Sequence, residues 1–153
     1  DKVGCDFFVD VHGDEELPYV FLAGGEGLPN WGPRMEALQG IFHRSYNRAN
    51  SDMQVEKSYE PDEPGKANLA ICSNQIGHRY DCMAVTLEMP FKDCKTNPDP
   101  QVGWTAGRSR TLGASLLDGL SYSLPYLRSK EKFWETMPEH DKYVRPVAGT
   151  ALG

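Results

Sequence analysis

His12 and Glu88 each close an apolar run, a position from which a polar side chain can reach a reacting group. From Cys5 to His12 the residues alternate, with Cys5, Phe7, Val9 and Val11 on one face and Phe8, Asp10 and His12 on the other. That is the period of a strand with one buried face. The stretch around His12 (DVHGDEELP) crowds Asp10, Asp14 and Glu15 beside the imidazole, and a carboxylate there fixes the tautomer and raises the basicity, as a metal-binding histidine needs. Glu88 follows CMAVTL, and a glutamate is rarely set against so apolar a run unless it is paired or used. Low dielectric there raises a carboxyl pKa toward the range of a general base. The bland alternatives are a rim histidine and a glutamate that caps a loop or pairs with Lys92.

Other strings fail on spacing. Gly24-Gly25-Glu26-Gly27 lacks the pattern of a phosphate-cradling loop. Gly65-Lys66 is followed by Ala67 where a Walker loop needs Ser or Thr, and no Gly-x-Ser-x-Gly elbow occurs. Tyr59 and Lys66 lie in a long polar loop, residues 50 to 66, from which they could reach a substrate.

The elements that must position His12 and Glu88 follow from periodicity. CMAVTL reads as a central strand covered on both faces. Pro33 sits at a helix start, with Met35, Leu38, Ile41, Phe42 and Tyr46 at helical spacing after it. Residues 68 to 80 suit a short helix. Leu112, Leu116, Leu117, Leu120 and Leu124 predict an amphipathic helix ending near Pro125. Strands separated by helices predict an α/β fold, with reactive side chains gathered at neighbouring strand ends. Residues 129 to 153 are charged and aperiodic and read as a tail apart from the core. The chain enters its first strand almost at once, so it is expected to be part of a larger domain.

Composition narrows the function classes. The 153 residues suit one domain or a large piece of one, and a net charge of −6 argues against nucleic acid as the main partner. Apolar runs are too short to cross a membrane as a helix. Cys5, Cys72, Cys82 and Cys94 form no CxxC pair, which reads as free thiols in a reducing, cytoplasmic setting.

The string Asp10-Val-His-Gly-Asp-Glu-Glu-Leu-Pro-Tyr-Val-Phe, followed by Thr86-Leu-Glu-Met-Pro-Phe, resembles the M14 zinc metallocarboxypeptidases, most nearly their cytosolic branch in its bacterial form. Pro64-Gly-Lys-Ala-Asn-Leu, Gly103-Trp104, Arg108-Ser109 and Leu112-Gly-Ala-Ser also match that branch in order. The resemblance covers roughly residues 3 to 127 and implies an α/β/α sandwich with a mixed sheet and helices on both faces, present as its C-terminal portion over residues 1 to 128. It implies His12 as the third zinc ligand, Glu88 as the catalytic carboxylate and Tyr59 as the loop tyrosine over the substrate. The family's other two ligands, a His-x-x-Glu pair, precede this histidine and are not in the chain. The substrate implied is the C-terminal tail of a peptide or protein. Many members of the branch remove glutamate. In the animal enzymes the stretch matching Lys66-Ala67-Asn68 carries an arginine suited to an acidic side chain. Asn68 stands in its place, with Lys66 two residues earlier. A second register uses His12, Glu15 and His140 as ligands but puts Glu88 between them, against the family's order. Two function classes follow: a zinc carboxypeptidase, or an inactive carboxypeptidase-like fragment that serves as a binding module.

Overall fold

The computed structural model describes residues 3–150. The strand β4 (Met83–Pro90) lies at the centre of a three-stranded sheet of order β1-β4-β2. Its partner β1 (Phe7–Asp14) runs parallel, and β2 (Phe21–Ala23) runs antiparallel on the other side. Centrality explains the composition of β4: seven of its eight residues are buried, so both faces must be compatible with packing. Its odd residues Met83, Val85 and Leu87 join the main core with Leu38, Phe42 and Tyr46 of α1 (Pro33–Ala49) and Leu112 of α3 (Ala106–Leu127). Phe7 of β1 meets Phe42 edge to face at 4.8 Å. The even face carries Ala84, Thr86 and Glu88 and is covered by α2 (Cys72–Tyr80), whose Ser73 hydroxyl lies 2.8 Å from that of Thr86. The result is the expected mixed sheet with helices on both faces.

The long helices begin as their sequences indicate. Pro33 occupies the first turn of α1, where its missing N–H costs nothing, and Glu36 and Arg48 suit the positive and negative ends of the helix dipole. Thr105 caps α3 by accepting from the Arg108 N–H at 3.2 Å. The buried stripe of α3 differs from the leucine pattern. Leu112, Ser115, Gly119, Ser123 and Leu127 are buried, while Leu117 and Leu124 are exposed. The cause is the close approach of α1: a Cβ on Gly119 would stand 3.2 Å from both Phe42 and Tyr46. Small residues let the backbones meet, and Tyr46 Oη and Ser45 Oγ then donate to the carbonyls of Leu112 (2.8 Å) and Gly119 (3.4 Å). Helix α3 continues past Pro125 to Leu127, with the proline in its last turn.

Residues beyond α3 are docked against the body. Two single 3₁₀ turns, Phe133–Glu135 and Glu139–Asp141, lie against α1. Asp141 is fully buried and accepts from Arg48 (2.8 Å) and Tyr122 (2.7 Å), while the His140 carbonyl accepts from Arg44 and Arg48 at 3.0 Å each. Then β5 (Val147–Ala148) pairs in parallel with β3 (Lys57–Ser58). The tail reading missed this because single contacts, not a repeating apolar face, hold the segment. No helix among the described residues is long and apolar enough to cross a membrane. All four cysteines are free, and burial pushes the Cys82 thiol up to about 12.

Candidate active site

Parallel pairing of β1 with β4 sets His12 directly opposite Glu88. Strand alternation then puts Asp10, His12, Thr86 and Glu88 on the α2 face of the sheet, beside one another at the strands' carboxyl ends. Asp10 Oδ1 lies 3.0 Å from His12 Nε2. A proton on Nε2 shared with that carboxylate leaves the Nδ1 lone pair free for a further partner. The imidazole is half exposed, so that partner has access.

Glu88 is only 5% exposed. Its Oε1 accepts from the Tyr59 hydroxyl at 3.1 Å, and its buried Oε2 has no partner among the described residues. Burial holds the Glu88 pKa above the usual carboxylate value; the Tyr59 bond and His12 pull it down, and the charges of Asp14 and Asp10 push it up. Tyr59 is held by an edge-to-face contact with Phe21 at 5.0 Å, and Phe21 is itself the β2 residue opposite Glu88. Burial, with the negative charges of Glu88 and Asp14, raises the Tyr59 phenol far above its ordinary value, so it remains a donor. The loop that presents Tyr59 is pinned at its root. Gln54 Nε2 donates to the Lys57 carbonyl (2.8 Å), Gln54 Oε1 accepts from the Lys57 N–H (2.7 Å), and Ser58 Oγ donates to Leu22 O (3.3 Å). The β5 segment adds Val147 N–H to Glu56 O (2.9 Å) and Gly149 N–H to Ser58 O (2.8 Å).

These residues line a cleft of about 560 Å³, walled by Gly24, Glu26 and Gly27, by Tyr59 to Asp62 and by Ser73 and Asn74 of α2. His12, Glu88 and Tyr59, singled out in the sequence, come together here. Lys66 and Asn68 are exposed and do not line the cleft, although Ala67 between them does. Asn68 serves its own turn: its Oδ1 accepts from Ala70 N–H (3.0 Å) and its carbonyl from Asn74 Nδ2 (3.1 Å). Two buried acids take no role of their own from the sequence: Asp14 enters only as a neighbour of His12, and Glu26 only as part of a glycine string. Asp14, at the end of β1, accepts from Glu16 N–H at 2.7 Å through Oδ1, and its buried Oδ2 has no hydrogen-bond partner among the described residues. Glu26, in the glycine string rejected as a phosphate loop, is 6% exposed and lines the cleft. The signal for Glu26 was a charged residue lodged among small apolar ones.

A catalytic zinc takes three protein ligands and a water. The free Nδ1 of His12 fits one such ligand. Among the described residues, however, no group of three His, Cys, Asp or Glu side chains is arranged to hold a metal ion, so these residues do not complete the set. The register through Glu15 and His140 fails by the same finding, since His140 Nε2 sits 3.7 Å from Asp141, on the segment docked to α1.

No family model matches the chain. A protein of Zymomonas mobilis of uncharacterised function is 46% identical over 117 residues, which are 76% of this chain and 31% of that protein. A metallo-carboxypeptidase from Pseudomonas aeruginosa, solved in complex with (2-guanidinoethylmercapto)succinic acid, superposes with a TM-score of 0.79 at 45% identity, covering 83% of this chain and 34% of that one. A metallo-carboxypeptidase from Burkholderia cenocepacia gives 0.76 at 41% identity, covering 81% and 33%. The chain thus spans about a third of the length of the proteins it matches. Over that third it is similar in sequence and fold to the metallo-carboxypeptidases.

Proposed function

We propose that the chain is the C-terminal portion of a zinc metallo-carboxypeptidase catalytic domain, of the cytosolic branch, acting on the last peptide bond of a peptide or protein tail. The observation that carries this reading is the pairing of His12, with its free Nδ1, and Glu88, with its buried unpartnered Oε2, in one cleft. The similarity to two metallo-carboxypeptidases supports the reaction class. The molecule bound to the Pseudomonas relative joins carboxylates to a guanidinium arm, which is the chemistry of a C-terminal residue and its side chain.

In this reading His12 supplies one metal ligand, and the other two lie outside the described residues. A bound zinc contributes Lewis acidity toward water and carbonyl. Glu88 takes a proton on Oε2 from the water whose oxygen adds to the scissile carbonyl carbon. As the C–N bond breaks, the same carboxyl passes that proton to the leaving amine. Tyr59 fixes Oε1 so that Oε2 faces the reaction. A binding module without catalysis has no use for a desolvated carboxyl left half unpartnered, which favours the enzyme over the inactive reading. Free thiols suit a cytoplasmic setting. Removal of glutamate calls for a cation in the cleft, and Lys66 lies outside its lining.

The test is a chimera in which residues 3–150 replace their counterpart in the Pseudomonas relative. It is expected to hold one zinc per chain and to release C-terminal residues from peptides. His12→Ala should lower zinc occupancy and hydrolysis together. A chimera that folds, binds zinc and releases nothing would refute the reading.

A further inference from the structure

We propose that the cleft selects a cationic C-terminal side chain, a lysine ammonium or an arginine guanidinium, through Glu26; the proposal rests on the peptidase reading above. Asp10, Glu26, Glu60, Asp62 and Glu88 line the cleft, against the single imidazole of His12, and neither Lys nor Arg is among the lining residues. Two of these acids are already engaged: Asp10 with His12, and Glu88 with Tyr59. Glu60 and Asp62 are exposed at the mouth. Glu26 is the buried one without a task.

Its setting is built. Gln39 Nε2 donates to Glu26 Oε1 at 2.7 Å and Tyr143 Oη donates to the same oxygen at 2.6 Å. Gln39 is fixed in turn, since its Oε1 accepts from Gly25 N–H at 3.0 Å, and the Tyr143 ring packs on Trp31 at 5.7 Å. Both bonds fall on Oε1. Oε2 has no hydrogen-bond partner, and Glu26 has no ion-pair partner, among the described residues. Oε2 is not among the fully buried atoms that lack a partner, so it keeps access to solvent and to an entering cation. The two donors stabilise one oxygen and hold the group rigid, so a cation entering the cleft finds its partner already oriented. If Glu26 served only to receive Gln39 and Tyr143, an amide oxygen would do as well without the charge. A glutamate side chain entering the same space would meet five carboxylates and neither Lys nor Arg.

The proposal is tested by binding, on the 153-residue chain, of Nα-acetyl-arginine, Nα-acetyl-glutamate and Nα-acetyl-leucine, followed through the amide resonances of Gly24, Gly25 and Gly27. The arginine compound should bind at least about 10-fold more tightly than the glutamate compound, the scale of one charge-assisted hydrogen bond. Glu26→Gln keeps an acceptor for Gln39 and Tyr143, and should weaken the arginine compound about 10-fold while leaving the leucine compound unchanged. Equal or tighter binding of the glutamate compound would overturn the proposal. So would an arginine preference that survives Glu26→Gln, a uniform loss for all three compounds in that variant, or no binding of any of them. Because these are binding measurements, an arginine preference in a protein that hydrolyses nothing would sink the peptidase reading and leave Glu26 as a cation-reading residue.

Discussion

In its proposed role Glu88 meets two opposed demands: its carboxyl must be ionised to take a proton, yet burial disfavours the ion. The folded-state pKa lies above that of the unfolded chain, so the folded protein binds more protons between the two values and loses stability as pH rises through them. Glu88→Gln removes that penalty. Its melting temperature should exceed that of the parent at pH 7, by an amount equivalent to about 1 kcal/mol, the lower end for an unsatisfied buried group. The gap should close as pH falls below the ordinary carboxylate range. Equal stability of the two proteins at pH 7 would show that Glu88 carries no such penalty. Tyr59 acts on the same balance, since its hydrogen bond lowers the Glu88 pKa. In the active chimera, Tyr59→Phe should therefore move the acid limb of the kcat/KM profile to higher pH; a shift to lower pH would contradict the assigned bond. His12 and Glu88 were legible because strand alternation and an apolar run announce where a polar residue is aimed. The burial of Asp14 and Glu26 was not, because an acid among other acids or among glycines reads first as a solvated loop residue.

At the scale of elements, periodicity revealed β1, β4, α1 and α3, whose apolar faces repeat. It misjudged which stripe of α3 is buried, because a helix crossing at close range selects small residues, and Ser115, Gly119 and Ser123 carry no hydrophobic signal. It also left β3 and β5 unseen, since two-residue strands are defined by their partners and not by their composition. Gly40 of α1 shows how packing overrides propensity. A Cβ there would stand 2.5 Å from the Tyr143 nitrogen and 2.7 Å from the Asp141 oxygen, both backbone atoms that cannot rotate away. Alanine in a helix interior ordinarily gains about 1 kcal/mol over glycine. Overpacking against a fixed backbone costs about 1 to 3 kcal/mol. Gly40→Ala should thus lower the melting temperature, with the loss traced to release of residues 139 to 143 by faster amide exchange there. A rise in melting temperature would mean that this segment is not seated on α1.

For the molecule as a whole, the segment after α3 links the far side of α1 to the cleft. Asp141 is buried between Arg48 and Tyr122, Tyr143 reaches Glu26, and β5 pairs with the strand that presents Tyr59. Charge and lack of period concealed this, since the charged residues meet individual partners on helices distant in sequence. Val147→Pro removes the N–H that bonds the Glu56 carbonyl at 2.9 Å, while its side chain is 54% exposed and contributes little packing. Amide exchange in residues 56 to 60 should accelerate with the sheet core unchanged. Unaltered exchange in that loop would show that β5 does not hold it.

Glu88 is proposed as the proton-transferring base beside a metal that it does not ligate. In the chimera with the Pseudomonas relative, Glu88→Gln preserves shape and hydrogen bonding while removing the base. Zinc content and peptide turnover measured on the same preparation give the answer. That role calls for one zinc per chain in both proteins, with turnover lowered at least about 100-fold in the variant, the lower end for loss of a positioned general base. Undiminished turnover in Glu88→Gln with zinc in place would contradict it.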